Sequence, residues 1–419
     1  MPSRVEVSDE NHAISSKGSR NDTGYLTTLP PEILREILQY VGADELRANN
    51  LDRLLISKYW YCIASAVLLE DVKLSATGLT KFLALQKREM ATPGNSGAEH
   101  QPQHKEVTCT RARNLSESES ELVDGPISPI STRTSSLAIC LTGYSGWAAH
   151  IDPETQQIIP ERFKILADWT EKTRADMHRL SSWLGTLKTL TRFRFQAEGE
   201  SSVRTIPANL FEHMKSYLHA DAIALMCRSI PVERLRVLEL DTCGSAFLSR
   251  CVDGAKPGHA SDSEHICPLI GRYVPYLQRL RVRMHRICPE VFGVGNKNNL
   301  QYTTARKEFV FHLSLYDPLK GMTSAKSAGL CSFDTPCRRD VLINKMIEGA
   351  NVAAMQMPNL KATVLYHVYP FDLVAMDCRT GDTKVVDSQV DWLDNEDVVF
   401  EDRRSPHSTS AVCVTVCAF

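Results

Sequence analysis

The sequence has almost no excess of charge of either sign: 48 Lys and Arg against 50 Asp and Glu leave a formal net of −2 over 419 residues. A global basic field that would draw the chain onto nucleic acid or an anionic membrane is therefore excluded. No apolar run approaches the roughly 20 residues of a membrane span, and the opening MPSRVEVSDENHAISSKGSRNDTG lacks the apolar core of a secretory signal. Cysteine occurs thirteen times but without a spacing framework, which favours reduced thiols and a cytoplasmic or nuclear setting over a disulfide-stapled fold. A Gly-rich phosphate cradle and a G-x-S-x-G elbow are both missing. The only Cys/His pairs worth testing as metal ligands are Cys331 with Cys337, His285 with Cys288, Cys413 with Cys417, and His265 with Cys267. None has the paired short spacings of a structural zinc site, so no metal, no cofactor and no intrinsic enzyme activity are expected.

Two stretches are also poor in aliphatic residues. Residues 1–24 read as a disordered tail, and residues 91–135, rich in Ser, Glu, Pro and Gly, read as a disordered linker that cannot offset its own ordering entropy. The linker carries Ser116, Ser118 and Ser120 among glutamates and Ser128 before a proline. These are candidate phosphorylation positions, with a merely solvated linker as the equal alternative.

What is present begins at Leu29. In LPPEILREILQYV, prolines 30 and 31 stand where a helix starts without loss of a needed N–H, Glu32 suits the helix dipole, and Ile33, Leu34, Ile37, Leu38 and Val41 mark one face. Gly42 ends that helix, and Ser57 is placed to cap another carrying Trp60, Tyr61, Ile63, Ala64, Val67 and Leu68. So few residues rarely close a core of this apolar content by themselves, so some of the surface is expected to be covered by a partner.

The same residues carry a resemblance. The Leu29-Pro30-x-Glu32 opening, the apolar pairs Ile33/Leu34 and Ile37/Leu38, and Ser57-Lys58 followed by Trp60 are similar in order to an F-box, in particular the fungal type. The resemblance implies an F-box over residues 25–70 that docks onto the Skp-type adaptor of a cullin-based SCF ubiquitin ligase. The adaptor contact would be carried by Leu29, Pro30, Ile33, Leu34, Ile37, Leu38, Leu54, Leu55 and Trp60. The chain would then be a non-catalytic substrate-recognition subunit, with an interaction scaffold that binds the adaptor without forming an active ligase as the alternative.

Residues 71–90 read as a strand and helix extending the F-box or opening the next domain. From residue 136 to 370, strand-type runs alternate with helical ones, the pattern of βα units on a parallel sheet. In three of the strands, Leu190-x-x-Phe193-x-Phe195, Leu235-x-x-Leu238-x-Leu240 and Leu277-x-x-Leu280-x-Val282, the spacing is that of a leucine-rich repeat. Their intervals exceed the roughly 20–29 residues of regular repeats. The expected fold is therefore a small all-α F-box at the N-terminus followed by an α/β leucine-rich-repeat-like solenoid of long irregular repeats, with a more compact α/β arrangement as competitor. Residues 371–419 form an extension of uncertain structure, in which CRTGDTKVV suggests a hairpin.

Alternation along those strands puts Arg192, Arg194, Arg279, Arg281 and Arg283 on the face opposite the leucines, interrupted by Glu239 and Asp241. Guanidinium forks suit carboxylates and phosphates, so these five arginines are the candidate binding surface for an acidic or phosphorylated protein target. The other reading is a solvated, mutually paired ladder of little energetic weight.

Overall fold

The computed structural model describes residues 29–48, 57–91, 132–144, 154, 160–198, 217–245, 247–248, 265–293, 305–315, 328–331, 339–368, 372–386 and 392. The expected N-terminal tail, nearly all of the linker, Leu54, Leu55 and most of the C-terminal extension lie outside the described residues. The chain divides into two compact units, residues 1–71 and 72–419.

In the first unit, helix α1 (Pro31–Val41) begins with Pro30 as N-cap, and the Leu34 N–H bonds the Pro30 carbonyl at 3.0 Å. It stops at Gly42, whose φ of 82° is open to glycine and whose N–H returns to the Leu38 carbonyl at 3.0 Å. After α2 (Ala43–Ala48), α3 (Lys58–Glu70) starts at Ser57, whose hydroxyl accepts from the Trp60 N–H at 3.0 Å. Arg47 of α2 donates to the Leu68 carbonyl at 2.9 Å, satisfying an orphan acceptor in the last turn of α3. Leu34, Leu38, Ala64 and Val67 form a small core, with Leu29, Leu46, Trp60, Ile63 and Leu68 packed around it.

The second unit follows directly. Strand β1 (Asp71–Ser75) leads into α4 (Ala76–Ala91), then β2 (Ser136–Thr142), α5 (Pro160–Leu184), β3 (Arg192–Glu198), β4 (Leu218–His219), α6 (Ala220–Ser229), β5 (Val237–Asp241) and β6 (Phe247–Leu248). Helix α7 (Ile266–Gly271), β7 (Arg279–Arg283), β8 (Arg286–Ile287), a 3₁₀ helix (Pro289–Phe292), β9 (Lys307–His312), β10 (Gly329–Leu330), α8 (Arg339–Gln356), β11 (Leu360–Val368), β12 (Asp372–Asp377) and β13 (Thr383–Val386) complete it. One nine-stranded sheet has the order β1-β2-β3-β5-β7-β9-β11-β12-β13. Strands β2 through β11 pair parallel and in step, and β12 and β13 close the edge antiparallel.

Register explains the core. Leu137, Phe193, Leu238, Leu280, Phe309 and Ala362 are successive cross-strand partners, as are Ile139, Phe195, Leu240, Val282, Phe311 and Val364. Both rows face the inner sides of the helices, where Leu180, Met226, Ile270 and Met346 join them in one cluster. Each row removes a line of large apolar side chains from water, the dominant favourable term in folding.

The expected architecture is corrected. In place of a small all-α F-box followed by a leucine-rich-repeat-like solenoid, the structure is an α/β fold on a nine-stranded, mostly parallel sheet. In a repeat solenoid the face opposite the leucines stays open. Here Glu239 and Arg281 on that face are 0% exposed, and Val310, Leu365, Leu373, Ala375 and Trp392 form a second core on it. The sheet also runs past residue 370, since the suggested hairpin is real and adds β12 and β13. At the other border, Thr134 and Ser135, counted with the linker, belong to the sheet unit: Thr134 is buried and its carbonyl accepts from the Thr189 hydroxyl at 2.8 Å.

Lys307, the first residue of β9, shows how the connections are fixed. Its buried ammonium donates to the carbonyls of Val274, Pro275 and Leu277 at 2.9, 2.8 and 2.9 Å, tying the turn after α7 to the sheet. Among the described residues no helix is long and apolar enough to cross a membrane.

Candidate functional site

The first unit separates its apolar side chains into two sets. Leu34 and Leu38, both proposed from the sequence as adaptor contacts, are buried in the unit's own core, while Ile33, Ile37, Tyr40 and Val41 are 44%, 41%, 93% and 42% exposed. Ile33, Ile37 and Val41 are spaced by four residues, so they form one stripe along α1. Pro30 is exposed, and Leu29 and Trp60 are half-buried against the core. The Leu29 carbonyl accepts from the Tyr59 hydroxyl at 3.1 Å, which fixes the entry to α1. Helical periodicity identified the apolar residues; the packing of α1 on α3 decides which of them face outward.

The arginine face is brought together as the alternation required, but its charges are turned on one another. In register across the sheet, Arg194, Glu239 and Arg281 are consecutive partners, as are Asp241 and Arg283. Arg194 Nε donates to Glu239 Oε2 at 2.7 Å, and Arg192 Nη2 lies 3.4 Å from the same oxygen. Arg283 grips Asp241 with two bonds, Nε to Oδ1 at 3.0 Å and Nη2 to Oδ2 at 2.5 Å. Arg281 bonds Glu308 Oε1 at 3.2 Å and also donates to the Trp392 carbonyl, and Arg279 Nε lies 3.6 Å from Glu308 Oε2. The Trp392 ring covers Arg283, its centroid 5.3 Å from the guanidinium carbon. The ladder is thus paired, as one of the two sequence readings had it, and much of it is buried rather than solvated. Alternation cannot show what lies over a face, and so could not reveal Trp392.

Beside the ladder, His312 packs edge-on to Trp392 with centroids 5.3 Å apart, and His367 Nδ1 shares a hydrogen bond with the Ser314 hydroxyl. Burial, with Arg283 and His367 nearby, pushes His312 well below the ordinary imidazole range and leaves it neutral. Ser314 and His367 are both buried, so this Ser–His pair faces protein rather than a cleft.

A third arrangement was missed by the sequence reading. His265, which caps α7, Cys267 in its first turn, Cys288 before the 3₁₀ helix and Cys331 after β10 bring four ligand atoms within 4.8 Å of one another. The parallel pair β8 and β10 aligns Ile287 with Leu330, so Cys288 and Cys331 leave that pair side by side. Cys267 Sγ is 3.7 Å from Cys331 Sγ, Cys288 Sγ is 3.1 Å from His265 Nε2, and His265 Nδ1 is 3.2 Å from Glu290 Oε2. Hydrogen bonds from Cys267 and Cys331 favour the charged form of the Cys288 sulfur and lower its pKa from the ordinary thiol range. All four residues stood among the Cys/His pairs noted in the sequence, but divided over three of those pairs, because the ligands come from three separate segments that only the fold brings together.

Two glycines allow the close approach. A Cβ on Gly271 would meet the Glu290 carbonyl oxygen at 2.5 Å and Gly293 backbone atoms at 2.9 Å, and a Cβ on Gly293, at φ 70°, would meet the Gly271 carbonyl at 2.5 Å. On the other side of the 3₁₀ helix, Gly349 of α8 admits Pro289 and Phe292. Gly271→Ala is expected to cost about 1–3 kcal/mol, the penalty of overpacking against backbone that cannot rotate away. Thermal unfolding of the full chain checks this, and an unchanged midpoint would mean that α7 is free to shift.

No protein-family model matches this chain, and no curated protein matches it in sequence.

Proposed function

We propose that this chain is the substrate-recognition subunit of an SCF-type ubiquitin ligase, binding a Skp-type adaptor through residues 29–70 and a target protein through the sheet unit. The observation that carries the reading is the exposed stripe of Ile33, Ile37 and Val41 with Tyr40, on a helix whose opposite side already fills the unit's core. That surplus lies in the segment whose residues resemble an F-box. An apolar patch of this kind, on a unit too small to cover it, suits one half of an obligate interface. Catalysis then belongs to the partners, and this chain acts by raising the target's effective concentration near the charged ubiquitin carrier. A cytoplasmic or nuclear location follows from that role. The arginines paired on the sheet are left to a structural role, and the target surface is assigned to the sheet unit as a whole.

The test is co-purification of the tagged full chain. The wild type is expected to bring down the adaptor together with a cullin. Ile33→Asp with Ile37→Asp should abolish both without unfolding the protein, because neither side chain is in the core and each central interface residue is worth on the order of 2–4 kcal/mol. Retention of the adaptor by this double variant removes the reading, and adaptor without cullin turns it into a scaffold.

A further inference from the structure

We propose that His265, Cys267, Cys288 and Cys331 form a structural zinc site that locks together the connections on the helical side of the sheet. The four side chains supply three sulfurs and one imidazole nitrogen, a closed tetrahedral set of the kind zinc takes in structural sites. Two sulfurs each about 2.3 Å from a tetrahedral zinc stand about 3.8 Å apart. The 3.7 Å between Cys267 and Cys331 matches that edge and is far too long for a disulfide, whose sulfurs are about 2.05 Å apart.

The surroundings fit the same chemistry. His265 turns Nε2 toward the sulfurs and gives Nδ1 to the Glu290 carboxylate, the orientation in which an outer carboxylate fixes the tautomer of a metal-bound histidine. Cys267 and Cys288 are buried, and Cys331 is half-buried. The ligands are held before any metal arrives. Cys288 is anchored by the 3₁₀ helix clamped between Gly271 and Gly349, and Cys331 by the β8–β10 pair. Thiolate-rich sites of this kind select zinc over calcium or magnesium, which require oxygen ligands. With all four positions filled by protein, the ion has no open coordination site for substrate, so its role is to hold α7, the 3₁₀ helix and β10 in one arrangement.

The experiment uses the full chain purified without chelator. Elemental analysis should find one zinc per chain, and cobalt exchanged into the site should give the strong visible bands of a tetrahedral ion with a thiolate charge-transfer band in the near ultraviolet. Cys288→Ser and Cys331→Ser should each lose the bound metal. Glu290→Gln, which removes no ligand, should keep the fold and weaken zinc by about 10–100-fold in competition with a chromophoric chelator. A wild-type protein that holds no zinc after reduction and zinc addition overturns the proposal. So does a weak octahedral cobalt spectrum, or full zinc retention when all three cysteines are replaced by serine.

Discussion

Asp241→Asn is expected to destabilise the sheet unit by about 3–5 kcal/mol at neutral pH, the cost of stranding one member of a buried ion pair. Arg283 would keep its charge in a site covered by the Trp392 ring, with the carboxylate that grips both its Nε and Nη2 gone. Burial by itself would raise the Asp241 pKa, but the charge and hydrogen bonds of Arg283, together with the Cys243 N–H donating to Oδ1 at 3.1 Å, outweigh it and hold the carboxyl below its ordinary range. Because the folded pKa lies below the unfolded one, the pair contributes fully above the unfolded value of about 3.9 and is lost as pH falls through the folded value. Urea titrations at neutral pH and at a pH well below the unfolded carboxyl value check both statements, and the variant should show the flatter acid dependence. Asp241→Leu with Arg283→Met should recover most of the loss, since a buried pair exchanged for apolar residues is often neutral. A loss under about 1 kcal/mol for Asp241→Asn would place the pair among solvated surface bridges. By the same geometry, reversing the charges of Arg281 and Arg283 is expected to unfold the sheet unit, so such a variant is unsuited to mapping target binding.

Lys307→Met is expected to cost about 3 kcal/mol and to loosen the turn from Arg272 to Leu277. Three carbonyls lose their donor at once, and each unsatisfied buried acceptor costs about 1–3 kcal/mol. Relief from burying an ammonium offsets part of this. Burial and the nearby Arg236 push the Lys307 pKa down to about 8, so the group is still mainly charged at neutral pH and its three bonds are charge-assisted. Hydrogen exchange locates the effect: amides of the turn and of the start of β7 should lose protection, with those of β2 and β3 unchanged. Equal stability and equal protection would mean that water replaces the amine.

Much of the local structure was legible in the sequence. The strand-like run LKATVLYHV is strand β11 over that same span, Leu360–Val368, and the helical-looking run DVLINKMIEGANVAAMQM is α8, which starts one residue earlier and stops one residue short of Met357. The proline start of α1, its glycine stop and the Ser57 cap follow from backbone chemistry confined to a few residues. The leucine spacing of β3, β5 and β7 correctly told which side chains point to the helices. It failed as a guide to architecture, because a strand pattern reports which face is apolar and nothing of what covers the other face.

The sequence by itself determined the alternation of strand and helix, the inward rows of the sheet and the caps of the first helices, since each depends on neighbours within a turn or a strand pair. Only the tertiary structure decided that Ile33 and Ile37 face outward while Leu34 and Leu38 do not, that Arg283 meets Asp241, and that His265, Cys267, Cys288 and Cys331 converge. These contacts depend on register between strands and on where each crossover returns the chain. Both are set by the packing of the whole core, and neither leaves a period in the sequence.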